Sequence, residues 1–507
     1  MPTPAAPRSR GVGPRAQSLL PWLVGLLTTA VLATVCFHLH AEHLTGMDLA
    51  IFDQAIRALS HGQAPISSMK SPGMNLWGDH FHPVIALAAP LYWLWDDPRV
   101  LLLGQAGCIG LTCGLLTRTA QRLLPAGSAL PVVLGLGLAA SPGVQFGAVF
   151  DVHEVALGMP LLAMALDGAL RRRWRMFTAF SLALLLVKED AGLLVLGLAL
   201  VAFVLGARRL AGLVAVVAVA WTLAVIHWVI PALSPSGTWA YASAVGSPAT
   251  MLRSAAQALV WPAPLTITVV ALLATTLFWA LRSPVSLALL PVLGSRAIGA
   301  NASYWCLPHH YNLLPAVVLG FATLDALRRH RPGRRTVRLL VVAALVAALA
   351  GPLIPRMLAH ETPQRLACAS RLMTAVPEGG GVAATALLTP QLTHHHPVTQ
   401  RVRPVHESGA TSFPDDQGLP LQAPWVLLNH GAPRSPGEAD WVPEAERQFR
   451  SRGFQVVARC ADYELLHRAW PATRGDGPAP LPTARDASPG QCVVLGRDRT
   501  TRSRHDT

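Results

Sequence analysis

The sequence predicts a mainly α-helical, polytopic transmembrane bundle of about eleven spans, followed by a small extracytoplasmic α/β domain. Three observations point there. Of the 507 residues, 52% are hydrophobic and only 13% charged, with a mean hydropathy of +0.41, a balance that belongs to membrane proteins. Apolar runs recur from Leu19 to about Pro355, many near the roughly twenty residues that a spanning helix needs. Beyond Pro355 the chain changes to short apolar stretches separated by polar, proline-bearing and glycine-bearing segments.

A short arginine-bearing tail over 1–17 (Arg8, Arg10, Arg15) precedes the first run, Leu19 to Leu39, which lacks a small-residue cleavage site and reads as an uncleaved span. A polar stretch from His40 to His82 leads into a run at 83–95. Further runs lie near 99–117, 129–149, 155–170, 176–187, 191–206, 211–232, 260–281, 284–298, 309–327 and 337–354. Arginine settles the orientation. Arg171 to Arg175, Arg208-Arg209 and the stretch from Arg328 to Arg338 are expected on the cytoplasmic side with the N-terminus. That agreement requires the 83–95 run, with Pro83, Pro90 and the aromatic end Tyr92-Trp93-Leu94-Trp95, to lie at the interface rather than cross. The first extracytoplasmic loop is then 40–98, the membrane domain 18–355, the soluble domain 356–470, and 471–507 a disordered tail rich in proline, glycine and arginine.

In the soluble part Thr385–Leu392, Trp425–Leu428 and Phe454–Ala458 read as strands and Glu444–Arg452 as a helix. The net charge of +14 would mark a nucleic-acid binder in a soluble protein, but the arginines flank apolar spans, so nucleic acid is excluded as a partner. Seven cysteines are scattered without zinc spacing. Cys36, Cys108, Cys113 and Cys306 read as small buried hydrophobes, and one disulfide among Cys368, Cys460 and Cys492 is consistent with an extracytoplasmic location.

The candidate functional residues are ionisable groups between apolar runs, where charge is costly and marks function by default. Asp48 and Asp53 open a surface helix after the first span, and Asp48 shares a face with Phe52. Asp48 is a candidate general base for an acceptor hydroxyl, or else a carboxylate answering the helix dipole. Asp79, His80 and His82 offer ligands for a divalent metal, with His153 a further ligand, or form a polar turn. Asp151, His153 and Glu154 open another span, as helix-start groups or as part of a site with Asp79. Lys188 is one of only two lysines, the other being Lys70. It is a candidate for a phosphoryl oxygen, helped by Arg296 and by His309-His310, or it neutralises locally with Glu189 and Asp190. His394-His395-His396 reads as a solvated loop rather than a metal site.

Along Asp48-Leu-Ala-Ile-Phe-Asp-Gln54, Gly78-Asp-His-Phe81, Pro90-Leu-Tyr-Trp93, Phe150-Asp-Val-His-Glu154 and Lys188-Glu-Asp190, in that order, the chain resembles a family of bacterial and archaeal polytopic membrane proteins classed only as a domain of unknown function. Trp425 to Leu428 and Ala461 to Leu465 extend the resemblance, which covers about 18–470. That family in turn resembles the GT-C glycosyltransferases, membrane enzymes that use polyprenyl-phosphate-linked sugars. The resemblance implies a GT-C-like bundle at the cell membrane, a lipid-linked sugar donor, an envelope acceptor, and Asp48 as general base or metal-linked acid. The chain departs from many GT-C enzymes in having Asp-Leu rather than a paired acidic dipeptide at Asp48, which bears on metal use. The expected activity is inverting sugar transfer at the outer face. The alternatives are a transporter or lipid flippase, and a non-catalytic scaffold or lipid-binding protein.

Overall fold

The structure is a computed structural model that describes residues 14–241, 247–260, 263–299, 302–402, 423–431 and 438–468. The expected tail over 471–507, Cys492 and most of the N-terminal tail lie outside the described residues. The chain enters on α1 (Pro14–Ala41), a loop, and α2 (Met47–Ser60). After α3 (Leu76–Asp79), a 3-10 turn over Pro83–Ala88 runs into α4 (Ala89–Leu94). The bundle continues with α5 (Arg99–Leu123), α6 (Leu130–Ala140), α7 (Pro142–Phe150), α8 (Val155–Leu170), α9 (Trp174–Ala183), α10 (Ala191–Val204) and α11 (Arg208–Ala224). It closes with α12 (Ile230–Leu233), α13 (Pro248–Leu259), α14 (Pro264–Ala274), α15 (Leu290–Ile298), α16 (Leu313–His330) and α17 (Arg334–Ala350).

Four of the described helices, Ser18–Ala41, Arg99–Leu123, Arg208–Leu233 and Arg334–Met357, are long and apolar enough to cross a membrane, or six if each of two bent pairs counts as one span. About eleven were expected, and the difference lies in where the apolar runs break. The 129–149 run bends by 44° between α6 and α7, where Pro142 opens the new helix after Ser141. The 155–170 and 191–206 runs fold as α8 and α10, 16 and 14 residues long and largely enclosed by other helices. Exposed aliphatic side chains stand in rows on the outside of the bundle: Leu19, Leu23, Leu26 and Leu27 on α1, and Leu339, Val342, Leu345, Val346 and Leu349 on α17. Such a surface suits lipid rather than water. The 83–95 run is a broken helix of two short pieces with Leu87, Trp93 and Leu94 exposed.

Close approach of α1 and α5 sets the frame. A side chain at Gly110 would collide with the Gly25 carbonyl and with Thr29, and one at Gly114 with the Pro21 carbonyl, so the two backbones touch where only glycine permits it. The extracytoplasmic-facing end expected for α1 then delivers α2 across the ends of α7 and α8.

The C-terminal region holds a five-stranded sheet of β1 (Val382–Ala384), β2 (Thr399–Arg401), β3 (Trp425–Asn429), β4 (Gln455–Cys460) and β5 (Tyr463–His467), in the order β2-β1-β3-β5-β4. β1 pairs in parallel with β2 and β3, whereas β5 is antiparallel to β3 and β4. Alternation along β3 divides its side chains between two cores. Leu427 packs with Cys368 and Leu372 of α18 (Pro363–Thr374), and Val426 and Leu428 with Val442, Ala445 and Phe449 of α19 (Glu438–Ser451). A Cys368–Cys460 disulfide joins α18 to β4.

Thr385–Leu392 was expected as a strand and is not one. The strand ends at Ala384, and Ala386–Leu392 forms a 3-10 turn and a short helical turn. Pro390 cannot donate to a ladder but suits the start of a helix, and Leu388 and Leu392, four apart, then reach the same core. β2 and β5 went unread: β2 is three residues long and β5 shows no alternation because its first four residues are all buried. Of the histidine triplet, expected as a solvated loop, only His395 is exposed. His394 lies 3.4 Å from Asp53 and 3.6 Å from Asp96, and His396 bonds to the Gly380 carbonyl at 3.0 Å.

These contacts belong to a seam between α2 and the sheet region. Asp53 is fully buried and accepts hydrogen bonds from Tyr92 Oη (2.7 Å) and Thr393 Oγ1 (3.0 Å). Gln54 Nε2 donates to the Pro397 carbonyl at 3.1 Å and Ser68 Oγ to the Thr399 carbonyl at 2.8 Å. Asp53→Ala strands two buried hydroxyls and is expected to cost about 2–4 kcal/mol. Its melting temperature in detergent should fall by several degrees relative to the native protein, and an unchanged value would show that the seam bears no load.

Candidate active site

The polar residues singled out in the sequence sit on short links at one end of the bundle: the first turn of α2, the segment from α3 to Pro83, the link between α7 and α8, and the link before α10. Each link interrupts an apolar run where a polar backbone must find partners, so charged side chains and chain breaks coincide. Asp48, on the first turn of α2, reaches His153 Nε2 at 3.2 Å. His153 Nδ1 lies 3.7 Å from Glu154, and the other oxygen of Glu154 is 3.1 Å from Lys188 Nζ. Carboxylate, imidazole, carboxylate and ammonium therefore form one chain of contacts spanning α2, the start of α8 and the approach to α10.

A second group stands beside it. Lys70 Nζ pairs with Asp79 at 2.9 Å, His80 Nδ1 lies 2.6 Å from Glu189, and the Phe81 amide donates to the same carboxylate at 3.2 Å. Phe52 links the two groups, with ring centroids 6.0 Å from His153 and 5.7 Å from His82. Tyr241 stacks on His80 at 4.4 Å and donates from Oη to Asp79 at 3.4 Å.

Burial orders these pairs. The carboxylates of Asp79, Glu154 and Glu189 are 2–3% exposed, whereas Lys70, Lys188 and His80 are 14–20% exposed. Each cation thus stands in front of a buried carboxylate that holds it in place. Asp48 is the most open acid of the set, at 24%. Burial alone would raise its pKa, but the His153 imidazolium outweighs that and holds Asp48 below the usual carboxylate range. His153 shows the reciprocal effect: burial pulls it down, Asp48 and Glu154 pull it up, and it settles at about 9. For Asp79, burial is outweighed by the Lys70 ammonium and the pKa falls to about 2.

Other expected residues have different placements. Asp151 is buried, accepts from the Val152 amide at 3.0 Å, and packs on Gly46, the residue before α2, where a Cβ would lie 2.6 Å from its Oδ2. Its carboxylate thus lies against the N-terminus of α2 from another segment, where the helix dipole favours negative charge. Arg296, expected on a phosphate, is buried and donates to Asn312 Oδ1 at 3.1 Å and to the Tyr311 carbonyl. His310 stacks on His153 at 3.4 Å between ring centroids, and neither of its ring nitrogens has a hydrogen-bond partner. His309 contacts the Phe150 ring at 4.9 Å. Asp53 belongs to the seam, and Asp190 is exposed at the start of α10. Local neutralisation among Lys188, Glu189 and Asp190 does not occur for the first two, because each pairs with a different segment.

The metal ligand set drawn from the sequence is not assembled. Asp79, His80 and His153 face Lys70, Glu189 and Asp48, and are not among the described residue groups whose ligand atoms cluster within 4.8 Å. The sequence reading missed Lys70 and Tyr241 as members of the site. Lys70 carried a signal, being one of two lysines in a chain that otherwise uses arginine; Tyr241 carried none.

The fold is shared with ArnT from Cupriavidus metallidurans. Its crystal structure bound to undecaprenyl phosphate matches with a TM-score of 0.51 at 14% identity, covering 90% of this chain and 98% of that one. The apo structure gives 0.51 and 14%, covering 89% and 98%. The cryo-EM structure of the mycobacterial arabinofuranosyltransferase AftD matches at 0.43 and 16% identity, covering 91% of this chain and 40% of that one. No curated protein matches. The likeness to ArnT, a GT-C glycosyltransferase, extends to the fold the resemblance expected from the sequence. The family model described as "Predicted membrane protein (DUF2079)" matches residues 40–462, and the chain belongs to that family.

Proposed function

We propose that the protein is a membrane glycosyltransferase that moves a sugar from a polyprenyl-phosphate donor to an envelope acceptor at the extracytoplasmic face. The observation that carries this reading is the partly open Asp48 carboxylate, kept ionised by His153, beside three cations backed by buried carboxylates. Asp48 accepts the proton of an acceptor hydroxyl as that oxygen attacks the anomeric carbon, and the bond to the lipid phosphate breaks with inversion. Lys188, with Lys70 and His80, offsets the charge gathering on the departing phosphate. Their carboxylate partners hold these cations in position beforehand, so little reorganisation accompanies the charge transfer. The fold shared with a protein crystallised with undecaprenyl phosphate supports a lipid phosphate as the leaving group. The N-terminus is cytoplasmic and the sheet region extracytoplasmic in this reading, which the Cys368–Cys460 disulfide supports.

Ionisable residues gather on links at one end of the bundle, which favours an enzyme over a transporter lined with charge through mid-membrane. Asp48→Asn should reduce transfer from a panel of polyprenyl-phosphate sugars by about 10²–10⁴-fold while the protein still purifies as a folded monodisperse species. Full turnover in this variant removes Asp48 from the mechanism. Lys188→Ala should weaken binding of undecaprenyl phosphate about tenfold or more; unchanged affinity would place the phosphate elsewhere.

The pH dependence has a defined sign. His153 is raised, so its pairing with Asp48 is fully formed below the ordinary imidazole value of about 6.5 and is lost as pH rises through about 9. Stability and transfer should both decline across that upper window. His153→Gln, which cannot carry the charge, should show no such upper limb, and a limb that persists in this variant would assign it to another group.

A further inference from the structure

A separate cluster of metal-ligating side chains lies where α1 ends. His38 and Glu42 are four residues apart, and the Glu42 amide donates to the His38 carbonyl at 2.9 Å, so the helical turn continues through Glu42 and both side chains share one face. The segment that leaves the bundle toward the sheet brings His360 against them. One ligand atom from each of His38, Glu42 and His360 lies within 4.8 Å of the others.

The hydrogen bonds around this cluster leave one atom of each α1 side chain available to an ion. His38 Nε2 lies 2.9 Å from the Ala359 carbonyl. A carbonyl can only accept, so this nitrogen carries the proton and Nδ1 keeps its lone pair. Glu42 Oε2 accepts from the Glu361 amide at 2.7 Å, while Oε1 faces His360 Nδ1 at 3.3 Å. Backbone groups of one segment thus hold one polar atom of each α1 side chain and leave His38 Nδ1 and Glu42 Oε1 as the atoms that could ligate, a pattern that outer-shell partners give imidazoles and carboxylates at metal centres. The 3.3 Å separation also equals the edge, about 3.3 Å, of a tetrahedron with metal–ligand bonds near 2.0–2.1 Å.

The other described cluster of this kind, His430, Glu446 and Glu464, differs in one decisive respect. Arg459 lies 2.6 Å and Arg450 3.3 Å from Glu464, and Arg450 lies 2.7 Å from Glu446. Its carboxylates are already neutralised by guanidinium groups that would repel a dication.

We propose that His38, Glu42 and His360 bind one divalent ion of the zinc class, with water completing the coordination, and that the ion clamps the end of the first span to the segment leading into the sheet. Two imidazoles and one carboxylate suit such an ion better than the oxygen-only sets preferred by calcium and magnesium. The site shares no residue with the Asp48 group and does not depend on the proposed transferase activity.

The experiment uses the full chain in detergent, stripped of metal with a chelator and titrated with Zn²⁺, and with Co²⁺ as a spectroscopic probe. The expected result is about one Zn²⁺ per chain, a visible Co²⁺ band of low-coordinate His and carboxylate ligation, and a melting temperature raised by the metal. His360 is 60% exposed, so His360→Ala should fold and should lose at least tenfold in Zn²⁺ affinity. Glu42→Gln keeps an acceptor for the Glu361 amide and should weaken binding similarly. His430→Ala should leave the tight site intact. Absence of binding by the native chain, equal affinity in His360→Ala, or loss in His430→Ala instead would each overturn the assignment.

Discussion

The contact between Lys188 and Glu154 is the constraint on which the candidate site depends. Glu154 is 2% exposed in its side chain and lies at the start of a helix enclosed by the bundle. An ionised carboxylate there is tolerated only with a cation at contact distance, because removing it from water costs several kcal/mol. Lys188 is the residue that reaches it, which fixes the link before α10 against the start of α8. Once that link is placed, Glu189 meets His80 and the Phe81 amide, and the 79–82 segment is held over the same end of the bundle. His153, beside Glu154, in turn meets Asp48. Breaking the first pair would leave a buried charge and loosen every later contact in this order.

The same arrangement explains why charges that are expensive to bury are useful here. A lysine ammonium on a flexible stem is a poor fixed electrode in water. Backed by a buried carboxylate, it is held at one place with part of its surface still open. Three such pairs stand at this end of the bundle, and Asp48, at 24%, is more open than the three carboxylates in them. The Asp151 carboxylate, chemically identical to Asp48, is buried instead against Gly46 at the N-terminus of α2. Environment, not residue type, separates the two.

The bundle supplies the position of α2 by glycine contacts and the sheet supplies it by hydrogen bonds. Gly25, Gly110 and Gly114 let α1 and α5 touch, which sets where α1 ends. Asp53, Gln54 and Ser68 then tie α2 and the loop behind it to the sheet region. Asp48 and Asp53 lie on one short helix and face opposite tasks, the first toward His153 and the second into the seam. Membership of the DUF2079 family and the ArnT fold place this arrangement in a membrane protein, and the remaining chemistry is proposed from the geometry.

Local rules determined what was readable from the sequence alone. Hydropathy and arginine placement need no partner to be recognised, and the motifs at Asp48, Asp79, Asp151 and Lys188 stood out because charge is rare between apolar runs. Trp425–Leu428 was readable as a short apolar run between polar segments, whereas Tyr463–His467, which mixes buried polar and apolar residues, and the helical Ala386–Leu392 were not. Pairing was decided only by tertiary structure. Nothing in the local sequence says that Lys188 answers Glu154 rather than Glu189, that Lys70 answers Asp79, that Arg296 holds a loop, or that His360 meets His38 across 322 residues of chain. A charge buried in a low-dielectric interior takes the opposite charge that the folded chain brings to it, and that choice depends on distances set by helices far apart in sequence.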